Sequence, residues 1–130
     1  PEKIKQLEKL FNTIDAANTQ QAWKVAVEFR NKLWYNNQTC KLLKQYNFSL
    51  VLHDLPASAT PLTTPLTNVI YLRFHGTEKS YRGSYNNKFL SEYAQLIRQW
   101  MREGKYIYCY FNNTMGDAFN NLQALNRFVL

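Results

Sequence analysis

The sequence has few cysteines, few acidic residues and no long hydrophobic run, and each shortage narrows the classes of protein. Cys40 and Cys109 are the two cysteines among 130 residues. They lack CxxC spacing, so we expect reduced thiols in a cytoplasmic protein rather than a disulfide framework. No apolar stretch approaches the roughly 20 residues that cross a bilayer, so we expect no membrane partner. Internal repeats and low-complexity segments are also missing, and we therefore expect residues 1–130 to form a single domain.

Acidic residues are the minority among the charged ones: nine stand against 16 basic residues, which leaves a net charge of +7. Charge of this sign favours acidic partners such as nucleic acids or phosphates. The basic residues form no run, however, and a solvated helical exterior would explain them equally well. Aromatic residues, in contrast, are abundant at 15%, and nine of them are Tyr. Tyr combines a flat apolar face with a polar tip, which suits interfaces and ligand clefts.

Strand-like and helix-like segments alternate along the chain. Apolar residues at helical spacing predict helices at about 2–14, 36–46, 86–103 and 115–128, and β-rich segments predict strands at about 23–29, 48–54, 69–75 and 105–111. This alternation is typical of a parallel α/β sheet. Because a complete TIM barrel needs about 250 residues, four strands predict a partial TIM-like barrel, about half of one, or a small open sheet.

Each predicted strand has an apolar face, and three of the four also have a polar face. In the third strand Ile70, Leu72 and Phe74 alternate with Tyr71, Arg73 and His75. A parallel sheet covered on both faces usually has continuous apolar strands, so the polar face predicts a lumen that opens into a site. Ligand sites of parallel α/β folds lie at the carboxyl ends of the strands. The polar residues at these ends are Glu28, Arg30, His53, Asp54, Arg73, His75, Asn112 and Asn113.

Five segments carry a family likeness: EFRNKLW (28–34), LHDLP (52–56), YLRFHG (71–76), YRGSY (81–85) and YFNNTMGDA (110–118). In this order they resemble the C-terminal half of the domain-of-unknown-function 72 (YecE-like) family. The resemblance implies a distorted TIM-like barrel whose N-terminal half is absent from this sequence. It implies that the polar residues above, together with Gly76, Tyr81 and Tyr85, match motif positions, but it assigns them no role.

The favoured hypothesis is an enzyme that acts on a small polar or anionic ligand, phosphorylated or sugar-like, without a cofactor. Glu28 and His75 are the candidate catalytic residues, because a carboxylate and an imidazole can exchange protons with a ligand. Arg30 and Arg73 are candidates for holding an anionic group, since a guanidinium grips phosphate or carboxylate with two N–H groups. The remaining candidate ligand-binding residues are His53, Asp54, Tyr81, Tyr85, Asn112 and Asn113.

Three alternatives stay open. The positive charge and the tyrosines are compatible with a nucleic-acid-binding module. The open edges of a half barrel favour a structural fragment that associates with another copy, or with the missing N-terminal half. A metal site built from Glu28, His53, Asp54 and His75 is a variant of the enzyme hypothesis, although the spacing of these residues matches no compact metal motif. Glu28 and an arginine could also form a purely structural ion pair.

Overall fold

The computed structural model describes residues 2–130. Helices and strands alternate in this range, as predicted. The elements are α1 (Glu2–Ala17), β1 (Ala26–Val27), a 3₁₀ helix (Lys32–Trp34), α2 (Asn37–Gln45), β2 (Ser49–His53), β3 (Val69–Phe74), α3 (Asn87–Arg102), β4 (Tyr106–Phe111) and α4 (Ala118–Val129). Within residues 2–130, no helix combines the length and the apolar character needed to cross a membrane.

The four strands form one parallel sheet in the order β1–β2–β3–β4. His53 in β2 and Tyr110 in β4 both stand opposite Arg73 in β3. This register brings the carboxyl ends of β2, β3 and β4 to the same edge of the sheet. The predicted parallel α/β architecture is confirmed, including the crossover from β2 to β3, which contains no helix.

The first strand is shorter than the predicted 23–29, because side chains bind the backbone groups on either side of it. The Asn18 amide donates to the carbonyl oxygen of Trp23 and accepts from its N–H, both at 3.0 Å. At the other end, the hydroxyl of Tyr35 and the imidazole of His53 lie 3.0 Å from the carbonyl oxygen of Phe29. These backbone groups are therefore satisfied without a sheet partner.

Two helix boundaries also differ from the predicted ones. α1 continues to Ala17 rather than ending at 14, since Ala16 and Ala17 are strong helix formers. α4 begins at Ala118 rather than 115, because the residues before it pair with the loop after β3. Met115 donates its backbone N–H to the carbonyl oxygen of Tyr81, and Asp117 donates to that of Gly83.

The core lies on one face of the sheet, which we call the covered face. Ile70, Leu72 and Phe74 of β3 are at most 2% exposed and pack against Leu90 and Ile97 of α3. A second cluster joins α1 and α2 to the same side of the sheet, and it contains Leu7, Phe11, Phe29, Leu42, Leu43 and Phe48. Both cysteines are free thiols, and burial raises the pKa of the Cys109 thiol to about 12. The covered face therefore contains a conventional apolar core.

The opposite face of the sheet, the open face, presents polar and aromatic side chains. Tyr108 and Tyr110 of β4 are each 46% exposed. The ring of Tyr71 in β3 stacks on that of Tyr110 with centroids 5.0 Å apart. Val51 of β2 and Ala26 of β1 lie in the same cleft as these tyrosines. The predicted division of each strand into an apolar and a polar face is thus present in the structure.

Candidate functional site

The carboxylate of Glu28 lies between two guanidinium groups. Glu28 follows β1 directly, and its side chain is 12% exposed on the open face. Its Oε1 lies 2.6 Å from Nε of Arg30, and its Oε2 accepts a 2.8 Å hydrogen bond from Nη1 of Arg73. Arg73 also donates from Nε to Oδ1 of Asn112, at 3.0 Å. The carboxyl ends of β1, β3 and β4 are therefore joined by one polar chain.

His75 lies beside this carboxylate with both of its ring nitrogens unpartnered. The residue is 2% exposed, and its Nε2 is 3.5 Å from Oε1 of Glu28, while neither nitrogen has a hydrogen-bond partner. Burial lowers the pKa of His75; Glu28 opposes this shift, and Arg73 and Arg30 reinforce it. His75 is therefore a neutral imidazole near neutral pH. We call Glu28, Arg30, Arg73, His75 and Asn112 the rim.

His53 is close to the rim, but its two nitrogens are already occupied. Its Nδ1 accepts from the N–H of Leu55 at 3.2 Å. Its Nε2 lies 3.0 Å from the carbonyl oxygen of Phe29 and 3.0 Å from the hydroxyl of Tyr35. Because a carbonyl oxygen can only accept, Nε2 must carry the proton. Both ring nitrogens of His53 are thus engaged within the protein.

This hydrogen bonding weakens the metal alternative. Ligand atoms of Glu28, His53 and His75 lie within 4.8 Å of one another. A metal ion needs a free nitrogen lone pair, however, and His53 would have to give up its present partners to provide one. Asp54, the fourth residue of the predicted set, accepts hydrogen bonds from other groups. Glu28 and His75 alone remain, which are fewer ligands than the usual protein metal site provides.

Asp54 and Tyr85 support the rim through hydrogen bonds to the backbone of His75 and Gly76. Asp54 accepts the backbone N–H of His75 on Oδ1 at 2.7 Å and the hydroxyl of Tyr85 on Oδ2. The same hydroxyl accepts the N–H of Gly76 at 2.6 Å. Burial, followed by the interaction with Asp54, raises the pKa of Tyr85, so the phenol stays protonated. The two side chains therefore hold the backbone segment that carries His75.

Gly76 completes this turn. Its φ is +113°, and a Cβ added there would lie 2.3 Å from the carbonyl oxygen of Arg82. A larger residue would therefore clash with backbone that cannot easily move, and it would also adopt an unfavourable conformation. This close approach explains why a glycine stands at this position of the motif.

The other predicted site residues lie in two different environments. Asn113 is fully buried, and its Nδ2 donates to the carbonyl oxygen of Gly83 and to Oδ1 of Asn121, each at 3.0 Å. Asn113 therefore connects the loop after β3 to α4, and its side chain does not lie on the open face. Tyr81 is 44% exposed, and its ring centroid is 5.8 Å from that of His75. The structure thus brings Glu28, Arg30, Arg73, His75 and Asn112 together, places Tyr81 and His53 next to them, and uses Asp54, Tyr85 and Asn113 as supports.

Two residues of this region were not predicted from the sequence. Lys24 lines a cleft of about 620 Å³ on the open face together with Glu28 and Arg73. The alternation of Lys24, Ala26 and Glu28 is the signal that could have identified it. Tyr35 contacts His53 from the segment after the 3₁₀ helix, where no periodic pattern marks it.

These features define a class of protein. A parallel sheet that is backed by helices on one face, and that carries its polar groups at the carboxyl ends of the strands, is part of a TIM-like α/β barrel. The family described as "Protein of unknown function DUF72" matches residues 1–129, and the chain belongs to this family. The resemblance of the five sequence segments is thereby confirmed.

Solved structures of this family share the fold. Two crystal structures of a DUF72 family protein from Enterococcus faecalis V583 match with TM-scores of 0.72 and 0.69, at 21% and 25% identity. They cover 97% and 87% of this chain, and 51% and 53% of their own. One from Thermotoga maritima MSB8 matches with a TM-score of 0.59 at 24% identity, over 91% of this chain and 49% of its own. The chain thus spans about half the length of these proteins, and no curated protein matches it.

Proposed function

We propose that the rim binds a small anionic molecule, phosphorylated or sugar-like, and exchanges protons with it. The observation that carries this proposal is the convergence of two arginines and an unpartnered, buried imidazole on one carboxylate. Two guanidinium groups facing one carboxylate leave a local positive charge, to which the neutral His75 adds nothing. A local positive charge on a partly buried edge of a sheet favours an anion.

The arginines have donors to spare. A guanidinium has five N–H donors, and Arg73 uses Nη1 on Glu28 and Nε on Asn112. The side chain of Arg73 is 30% exposed and that of Arg30 is 49% exposed, so both can reach a ligand from solvent. The free donors suit the paired oxygens of a phosphate or a carboxylate.

His75 supplies the second argument. A buried polar atom without a partner costs about 1–3 kcal/mol, and such atoms call for an explanation. A ligand that hydrogen-bonds to the imidazole would offset this cost. Glu28, 3.5 Å away, is placed to take or return a proton through the same ring. In this proposal Glu28 and His75 are the acid–base pair, while Arg30, Arg73 and Asn112 hold the ligand.

Calorimetric titration of the intact protein with inorganic phosphate tests the anion site. Replacing Arg73→Gln should weaken binding about tenfold or more, because a charge-assisted hydrogen bond contributes about 1.5–3 kcal/mol. Glu28→Gln should strengthen binding, since it removes the negative charge beside both arginines, and it should abolish any turnover. Arg102→Gln, at the exposed end of α3, is the matched control and should change nothing. Equal effects of the Arg73 and Arg102 variants would contradict the proposal.

A further inference from the structure

His75 lies between a residue of the open-face cleft and a second cleft. On one side is Glu28, which lines the cleft of the open face. On the other side is a second cleft of about 640 Å³ between the loop after β2 and the loop after β3. We call it the loop cleft, and the residues that line it include Leu55, Pro56, Ala57, His75 and Tyr81. The buried, unpartnered imidazole therefore belongs to a residue that lines the loop cleft and that lies 3.5 Å from Glu28 of the open-face cleft.

The two clefts differ in chemistry. The open-face cleft contains the charged side chains of Glu28 and Arg73 beside polar tyrosines. The walls of the loop cleft are mainly apolar, formed by Leu55, Pro56 and Ala57 on one side and the ring of Tyr81 on the other. Its two charged residues, Glu78 and Lys79, are exposed and of opposite sign. An apolar group is therefore better suited to the loop cleft than a second anion.

The wall that carries Tyr81 is held in an unusual conformation. Ser80 and Tyr81 have φ values of +61° and +59°. For a residue other than glycine, this conformation costs roughly 1–2 kcal/mol and persists only where the surroundings enforce it. Glu78 and Arg82 pair across the loop, and the backbone N–H of Gly76 is fixed by Tyr85. The backbone of this wall is thus held by its surroundings, and the ring of Tyr81 lies with its centroid 5.8 Å from that of His75.

From this arrangement we infer that the loop cleft is a subsite for a flat apolar group, carried by the same ligand whose anionic group binds Arg30 and Arg73. The inference rests on the proposed function and narrows its ligand class to a small aryl- or alkyl-substituted anion. His75, at the junction, is placed to hydrogen-bond to the atom that links the two parts of the ligand. Phenyl phosphate is the simplest probe with both parts.

Titration of the intact protein with phenyl phosphate and with inorganic phosphate tests the subsite. Burying a phenyl ring should make phenyl phosphate bind about tenfold tighter or more. Ala57→Trp fills the loop cleft and should abolish this gain while leaving the affinity for inorganic phosphate unchanged. Leu62→Trp adds the same side chain to an exposed position of the same connection, outside the loop cleft, and should keep the gain. Equal affinities for the two probes, or a gain that survives in Ala57→Trp, would overturn the inference.

A third probe separates this inference from the proposed function. Benzyl alcohol has an aromatic ring but no charge, so it tests the loop cleft without the arginines. It should shift the ring proton signals of His75 in NMR spectra, identified by their loss in His75→Gln, and should not shift them in Ala57→Trp. If inorganic phosphate does not bind and Arg73→Gln changes nothing, the anion site fails, whereas a shift with benzyl alcohol still supports the apolar subsite. An absent shift overturns the subsite even if phosphate binds at the arginines.

Discussion

The covered face and the open face are built from the same strands, yet they have opposite characters. Along β3, Leu72 and Phe74 are at most 2% exposed under helices, while Tyr71 and Arg73, which alternate with them, face a cleft. The helices pack on the covered face because only that face offers continuous apolar surface. The core and the proposed ligand contacts are therefore separated by a single step along the strand, and a substitution should affect stability far more on the covered face than on the open face.

The largest expected effect distinguishes the faces by stability. Phe74→Ala removes a ring that packs against Tyr85, Phe89, Tyr93 and Phe111, and it should lower the free energy of unfolding by about 3–5 kcal/mol. Tyr110→Ala, on the open face, removes a ring of similar size that is 46% exposed, and it should cost less than about 1 kcal/mol. Urea denaturation of the two variants provides the measurement. Similar losses for both would mean that the open face is part of the core.

A smaller effect tests whether the hydrogen bonds that join Asp54, Tyr85 and Gly76 contribute to stability, as the core on the covered face does. Tyr85→Phe removes the hydroxyl that connects Asp54 to Gly76, which leaves a carboxylate oxygen and an N–H without that partner. The free energy of unfolding should fall by roughly 1–3 kcal/mol. Tyr108→Phe, which removes an exposed hydroxyl from the open face, is the matched control and should have little effect. A Tyr85 variant as stable as the control would show that this network does not hold the turn.

The smallest expected effect is a pH dependence that comes from the rim. Burial lowers the pKa of His75, so the folded state binds fewer protons at this site than the unfolded chain does. The contribution of the neutral His75 ring to the free energy of unfolding is complete above the ordinary histidine pKa of about 6.5, and it is lost as the pH falls toward the lowered pKa of the folded state. The wild-type protein should therefore lose stability between pH 7 and 5 more steeply than His75→Gln. Parallel curves from denaturation at each pH would show that His75 is not buried as a neutral ring.

The periodic elements were predictable, while the hydrogen bonds that end them were not. α3 was predicted to within one residue at each end, because its apolar spacing is regular, Asn86 caps its first turn and Gly104 follows its end with a φ of +76°. β1 was predicted too long, since nothing in its composition reveals that Asn18 holds the backbone of Trp23. Hydrogen bonds between a side chain and the backbone of another segment depend on how the folded chain brings the two together.

The arrangement of the candidate site was likewise predictable only in part. That Glu28, Arg73 and His75 lie on one side of the sheet follows from strand alternation and from the common edge at which parallel strands end. That Asp54, Tyr85 and Asn113 serve as supports did not follow, because a polar residue after a strand can turn either way. Sequence patterns predicted that these polar residues gather at one edge of the sheet, but they did not separate side chains on the open face from those that hold the turn.

What the sequence alone determined is the parallel α/β class, the apolar and polar face of the strands, and the edge of the sheet at which the polar residues gather. These properties follow from local geometry, since side chains alternate along a strand whatever surrounds it. The tertiary structure decided which polar atoms remain free. His53 and His75 both stand at the end of a predicted strand, yet Tyr35, 18 residues before His53, contacts the imidazole of His53, and that of His75 is left buried without a partner. Hydrogen-bond partners distant in the chain decide this difference, and only the folded chain brings them together.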